Sequence, residues 1–143
     1  MDNKIISVIN QKGGVGKTTT VINLAAGLSM KGKKILVIDL DPQGNATTGL
    51  GLSNTESSEH TIYSVLNGSR KISEVVKKTK FENLDLITSN VDLSGLEVET
   101  AGDSRRAFML KDELTPYLND SRPSYDYVLI DCPPSLSLLT IMA

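Results

Sequence analysis

Short continuous apolar runs alternate along the chain with stretches whose apolar residues recur every three or four positions, a pattern that predicts alternating strands and helices. Residues 5–9 (IISVI) and 34–39 (KILVID) are apolar and β-branched, as in strands buried on both faces of a sheet. Between them Val21, Leu24, Ala25 and Leu28 keep helical spacing, from an opening near Gly16 to Gly32, a residue suited to ending a helix. Strand, glycine-rich turn, helix and strand form a βαβ unit, whose two strands should be parallel with a right-handed crossover.

Residues 42–58 are rich in Gly, Asn, Ser and Thr without a sustained period, which predicts a long loop with room for one turn of helix. Loops of that length inside compact domains are usually functional. Short helical patterns follow at 62–66 and 72–78, then a third strand at 84–88 (LDLIT). Residues 105–118 predict an amphipathic helix with Phe108, Leu110, Leu114 and Leu118 on its apolar side, and 127–131 (YVLID) a fourth strand. The expected class is α/β, a mostly parallel doubly wound sheet with flanking helices.

No internal repeat, low-complexity tract or linker divides the sequence, so residues 1–143 are read as one domain. A doubly wound nucleotide fold commonly uses about six strands, whereas four are found, and the apolar run 138–143 carries no stop signal. The expectation is therefore the N-terminal part of a longer domain, incomplete at its C-terminus.

The 143 residues are 39% hydrophobic and 22% charged, which suits a core-forming globular chain. A net charge of −2 supplies no basic footprint for nucleic acid. No apolar run approaches bilayer length and the N-terminus lacks a basic-then-apolar leader, so a cytoplasmic location without membrane contact is expected. The single cysteine, Cys132, excludes a disulfide framework and reads as a small buried apolar residue. The lysine groups Lys31, Lys33, Lys34 and Lys77, Lys78, Lys80 read as solvated surface, as does His60 in its polar loop.

The chemistry concentrates where the first strand meets the first helix, in Asn10, Gln11, Lys12, Gly13, Gly14, Val15, Gly16, Lys17, Thr18 and Thr19. Glycines there let successive backbone N–H groups turn toward phosphate oxygens. The helix N-terminus adds unpaired donors and roughly half a positive charge. Lys17 can reach the β- and γ-phosphates of a nucleotide, the Thr18 hydroxyl is placed for Mg²⁺, and Thr19 can reach the α-phosphate region. Gln11 stands where the standard phosphate loop has its first glycine, and a second lysine, Lys12, follows it.

Two carboxylates, Asp39 and Asp41, close the second strand, where such groups can orient an attacking water or bind Mg²⁺ through water. Either also reads as a strand-terminal aspartate capping the next turn. Asp131 ends an apolar strand in the form of a Walker B carboxylate that holds Mg²⁺, and Cys132, Pro133 and Pro134 make a sharp exit.

The run K-G-G-V-G-K-T-T resembles the deviant Walker A motif of the ParA/Soj/MinD family of P-loop ATPases. The resemblance implies that Lys12 reaches across an ATP-sandwiched homodimer to the partner's phosphates, as a cation for transition-state charge. The segment D-L-D-P-Q-G-N, from Asp39 to Asn45, is similar to switch I of the ParA/Soj branch, which implies that Asp41 positions the hydrolytic water. D-C-P-P-S-L looks like switch II, although Ser137 and Met142 stand where the family usually has glycine and asparagine.

The implied protein is a partition ATPase acting in chromosome or plasmid segregation. It would bind and hydrolyse ATP with Mg²⁺ and dimerise when ATP is bound. It would also bind DNA nonspecifically through a C-terminal surface not present here, associate with the bacterial nucleoid, and answer to a centromere-binding ParB-like partner. Two alternatives stand beside it, a nucleotide-gated positioning scaffold of the MinD type on membrane or cargo, and an inactive truncated fragment. The nitrogenase iron-protein branch shares the loop, but one cysteine does not supply its cluster.

Overall fold

Every residue of the strand Ile35–Asp39 is buried, as its continuous apolar run predicts for the middle of a sheet covered on both faces. The computed structural model describes residues 4–9, 15–52, 58–120, 124–133 and 138–143. In chain order its strands are β1 (Lys4–Val8), β2 (Ile35–Asp39), β3 (Lys77–Lys78), β4 (Leu84–Ile87) and β5 (Tyr127–Asp131). Its helices are α1 (Val15–Met30), α2 (Asn45–Gly49), α3 (Ile62–Leu66), α4 (Ile72–Val75), α5 (Leu96–Glu99), α6 (Met109–Asn119) and α7 (Leu138–Met142).

The strands form one sheet in the order β1-β5-β2-β4-β3. β1, β5, β2 and β4 run parallel, and only β3 is antiparallel. The strands of the first βαβ unit are thus parallel as expected, but β5 lies between them.

Alternation along the strands divides the core into two clusters. Ile35, Val37, Leu84, Leu86 and Leu129 join Val21 and Ala25 of α1 on one face. Leu36, Ile38, Ile87, Val128 and Ile130 face the other way, with residues of α3, α4, α6 and α7. Helices on both faces of a mostly parallel sheet are the doubly wound arrangement.

Several boundaries differ from the sequence expectation. The helix expected over 72–78 stops at Val75, because Val76 is extended and Lys77–Lys78 pair with Leu86 and Asp85, giving β4 an outer neighbour. Lys77 is half-buried and its Nζ donates to Thr88 Oγ1 at 3.1 Å, so it is not simply solvated surface. The helix expected over 105–118 begins as a 3₁₀ turn, Arg106–Phe108, after Asp103 Oδ1 accepts the Arg105 N–H, and Phe108 is 48% exposed. Leu24 points outward, and Ile22 packs on the core instead. The loop over 42–58 does contain its turn of helix, α2. Gly32 ends α1 at φ 82°, donating to the Ser29 carbonyl. Among the described residues no helix is long and apolar enough to cross a membrane.

Candidate nucleotide site

The C-terminal ends of β1, β5 and β2 lie side by side, with Val8 paired to Asp131 and Asp131 paired to Asp39. Open parallel sheets bind ligands at that edge, where neighbouring strands connect in opposite directions. α1 begins over it, and its first turn carries Lys17 and Thr18 inward, at 6% and 7% exposure.

Lys17 Nζ forms an ion pair with Asp131 Oδ1, and Thr18 Oγ1 donates to Asp131 Oδ2 at 3.0 Å. Both charges are withdrawn from water, an arrangement that is stable only when geometry and further hydrogen bonds offset the lost hydration. Thr18 supplies one such bond. Thr18 and Asp131 also form a pair of hard oxygen donors of the kind Mg²⁺ accepts, with water and phosphate oxygens completing its shell. Among the described residues no group of three or more His, Cys, Asp or Glu could hold a metal. Among the described residues, a Cβ at Gly16 would meet nothing within 4 Å.

The two carboxylates of β2 separate in role. Asp39 is wholly buried, and its oxygens accept three bonds: Asp41 N–H at 3.1 Å, Thr47 N–H at 2.8 Å and Thr47 Oγ1–H at 2.7 Å. Burial pushes its carboxyl up to about 7, with the Asp131 charge adding to the rise and the Thr47 and Asp41 hydrogen bonds opposing it. Asp39 therefore ties β2 to α2, which is the capping alternative left open by the sequence. Asp41 accepts the Gln43 N–H at 3.0 Å on Oδ1. Burial raises its carboxyl above the usual range; the Gln43 bond and the Lys17 charge pull it down, while the Asp131 charge adds to the rise. Asp41 thus shares one electrostatic environment with Lys17 and Asp131.

The structure brings Lys17, Thr18, Asp41 and Asp131 together, with Thr19 exposed on the same turn. Lys12, Gly13, Gly14 and the side chain of Val15 lie outside the described residues. Sequence reasoning missed Thr47 and Ser89, both fully buried at this edge. Their only signal was a small hydroxyl residue just beyond an apolar strand or inside a polar loop. His60 is exposed in the 3₁₀ turn Ser58–His60.

A family model described as an AAA domain matches residues 3–143, almost the whole chain. The chain belongs to that family. It is 46% identical over 140 residues to the chromosome partitioning protein ParA of Caulobacter vibrioides, covering 98% of this chain and 51% of ParA. It is also 46% identical over 140 residues to the sporulation initiation inhibitor protein Soj of Bacillus subtilis, covering 98% of this chain and 53% of Soj. These matches bear out the ParA/Soj resemblance. A crystal structure of cobyrinic acid a,c-diamide synthase from Mycobacterium smegmatis, with bound ATP analogue and magnesium, superposes with a TM-score of 0.90 at 38% identity. It covers 99% of this chain and 54% of that one. The chain spans about half the length of the curated relatives it matches.

Proposed function

We propose that this chain is the nucleotide-binding portion of a partition-type ATPase, which binds Mg-ATP between the first turn of α1 and Asp131 and hydrolyses it. The observation that carries the reading is the buried cluster in which Asp131 meets both Lys17 and Thr18, at the sheet edge where this fold accepts ligands. The sequence relatives named ParA and Soj support the partition assignment, and the neighbour solved with an ATP analogue and magnesium supports the ligand.

In this proposal Lys17 exchanges its carboxylate partner for phosphate oxygens and balances their charge, while the N–H groups of α1 add the field of its N-terminus. Thr18 and Asp131 would hold Mg²⁺. The ion, when bound, neutralises charge on the β- and γ-phosphate oxygens. Asp41 orients the attacking water and accepts its proton at the carboxylate, and a carboxyl raised above its usual range is better matched to that task. Lys12 serves the second protomer of an ATP-dependent homodimer. Nonspecific DNA binding and response to a ParB-like partner complete the cycle and belong to the intact protein.

The test is partner-stimulated phosphate release by the intact protein and its Lys12→Ala and Asp41→Ala variants. Each substitution is expected to abolish stimulation, Asp41→Ala without loss of ATP binding. Unchanged turnover in both variants contradicts the reading.

A further inference from the structure

Asp41 is held through its backbone as well as its side chain. Its N–H donates to Asp39 Oδ1 at 3.1 Å, and its carbonyl accepts the Ser89 Oγ hydrogen at 2.8 Å. Ser89 lies just past the end of β4, 48 positions along the chain. Its own N–H donates to Thr47 Oγ1 at 3.1 Å, and the Thr47 hydroxyl donates onward to Asp39 Oδ2 at 2.7 Å. Asp39, Thr47 and Ser89 are all completely buried, so each bond lies where a lost partner is not replaced by water. The Thr47 hydroxyl donates and accepts at once, which no apolar isostere can do.

We infer that Ser89 and Thr47 are positioning residues for Asp41, fixing the backbone that aims its carboxylate at the water-activation point. The chain of bonds runs from β4 through α2 to the end of β2, so the loop over 40–46 is fastened at its start, at the Asp41 peptide and at its junction with α2. A general base that is misplaced by a fraction of an ångström loses rate without losing substrate affinity, because proton abstraction depends on distance and angle. Ser89 touches neither Lys17, Thr18 nor Asp131 in the described hydrogen bonds and ion pairs, so its removal spares the binding cluster.

This inference rests on the proposed ATPase function. The experiment measures single-turnover ATP hydrolysis at saturating Mg-ATP, and affinity for a nonhydrolysable ATP analogue, on the intact protein. Ser89→Ala is expected to slow hydrolysis about tenfold while analogue affinity stays within about twofold. Thr47→Val is expected to do the same, and Thr47→Ser, which restores the hydroxyl, to return the rate to within about twofold of wild type. Should Ser89→Ala fail to fold, the Thr47→Val and Thr47→Ser pair carries the comparison. Wild-type rates in Ser89→Ala and Thr47→Val, or rate and affinity lost in parallel, overturn the positioning role. A wild-type protein that binds the analogue but does not hydrolyse ATP overturns the proposed function itself, and this inference with it.

Discussion

Lys17 and Asp131 stand on different elements, 114 residues apart in sequence, and meet as a nearly water-free ion pair at the mouth of the sheet. Removing one partner of such a pair leaves the other charge buried and uncompensated, which costs about 3 kcal/mol or more. Lys17→Ala is expected to lower the urea midpoint of the ligand-free protein at an unchanged m-value, with Asp131→Asn in the same chain restoring most of the loss. Equal midpoints for wild type and Lys17→Ala would show that the pair contributes nothing to the ligand-free fold.

Asp131 also touches the chemistry of its neighbour. Cys132 is fully buried, and its thiol is pushed up to about 11, by burial first and then by the Asp131 charge. At pH 8 its thiolate fraction is therefore far below that of an ordinary thiol. Alkylation of native protein by iodoacetamide is expected to be far slower than in urea, where labelling is complete. Equal rates in the two conditions would place Cys132 at the surface.

The contact between α1 and α2 offers a packing test. A Cβ at Gly49 would clash with Ile22 Cδ1, the flexible end of that side chain. Gly49→Ala is expected to cost about 1 kcal/mol as Ile22 changes rotamer. Ile22→Val in the Gly49→Ala protein removes the clashing methyl and is expected to recover part of the loss, read by thermal denaturation. An Ile22→Val effect that is the same with and without Gly49→Ala would show that the two side chains are not coupled.

Much of the fold was legible because its strands are buried on both faces. Runs such as 35–39 and 127–131 announce themselves without alternation, and α1 is bracketed by a glycine-rich opening and Gly32. That Lys17, Thr18 and Asp131 meet was legible for a related reason, since the phosphate-loop pattern sets particular residue types at fixed offsets and a strand-terminal aspartate follows an apolar run. The insertion of β5 between β1 and β2 was not legible, because local periodicity carries no information on which strands become neighbours. β3 was hidden by its length of two lysines, which satisfy no strand pattern yet still cover the edge of β4. Leu24 has the right spacing for the core but faces out, as the buried face of α1 is centred on Val21 and Ala25. Thr47 and Ser89 act through bonds to residues 8 and 48 positions away, and nothing local marks them apart from other hydroxyl residues.

The central claim is that Lys17 marks an assembled Mg-ATP site within this chain, and the thermal midpoint with and without Mg-ATP tests it most directly, beside a Lys17→Ala control. Ligand at about 100 times its dissociation constant adds roughly 2.7 kcal/mol of apparent stability. For a domain of this size that is a shift of about 5–10 °C. The account predicts that upward shift for the wild-type chain and none for Lys17→Ala. A wild-type midpoint that does not move with Mg-ATP, or a shift that survives Lys17→Ala undiminished, would contradict it.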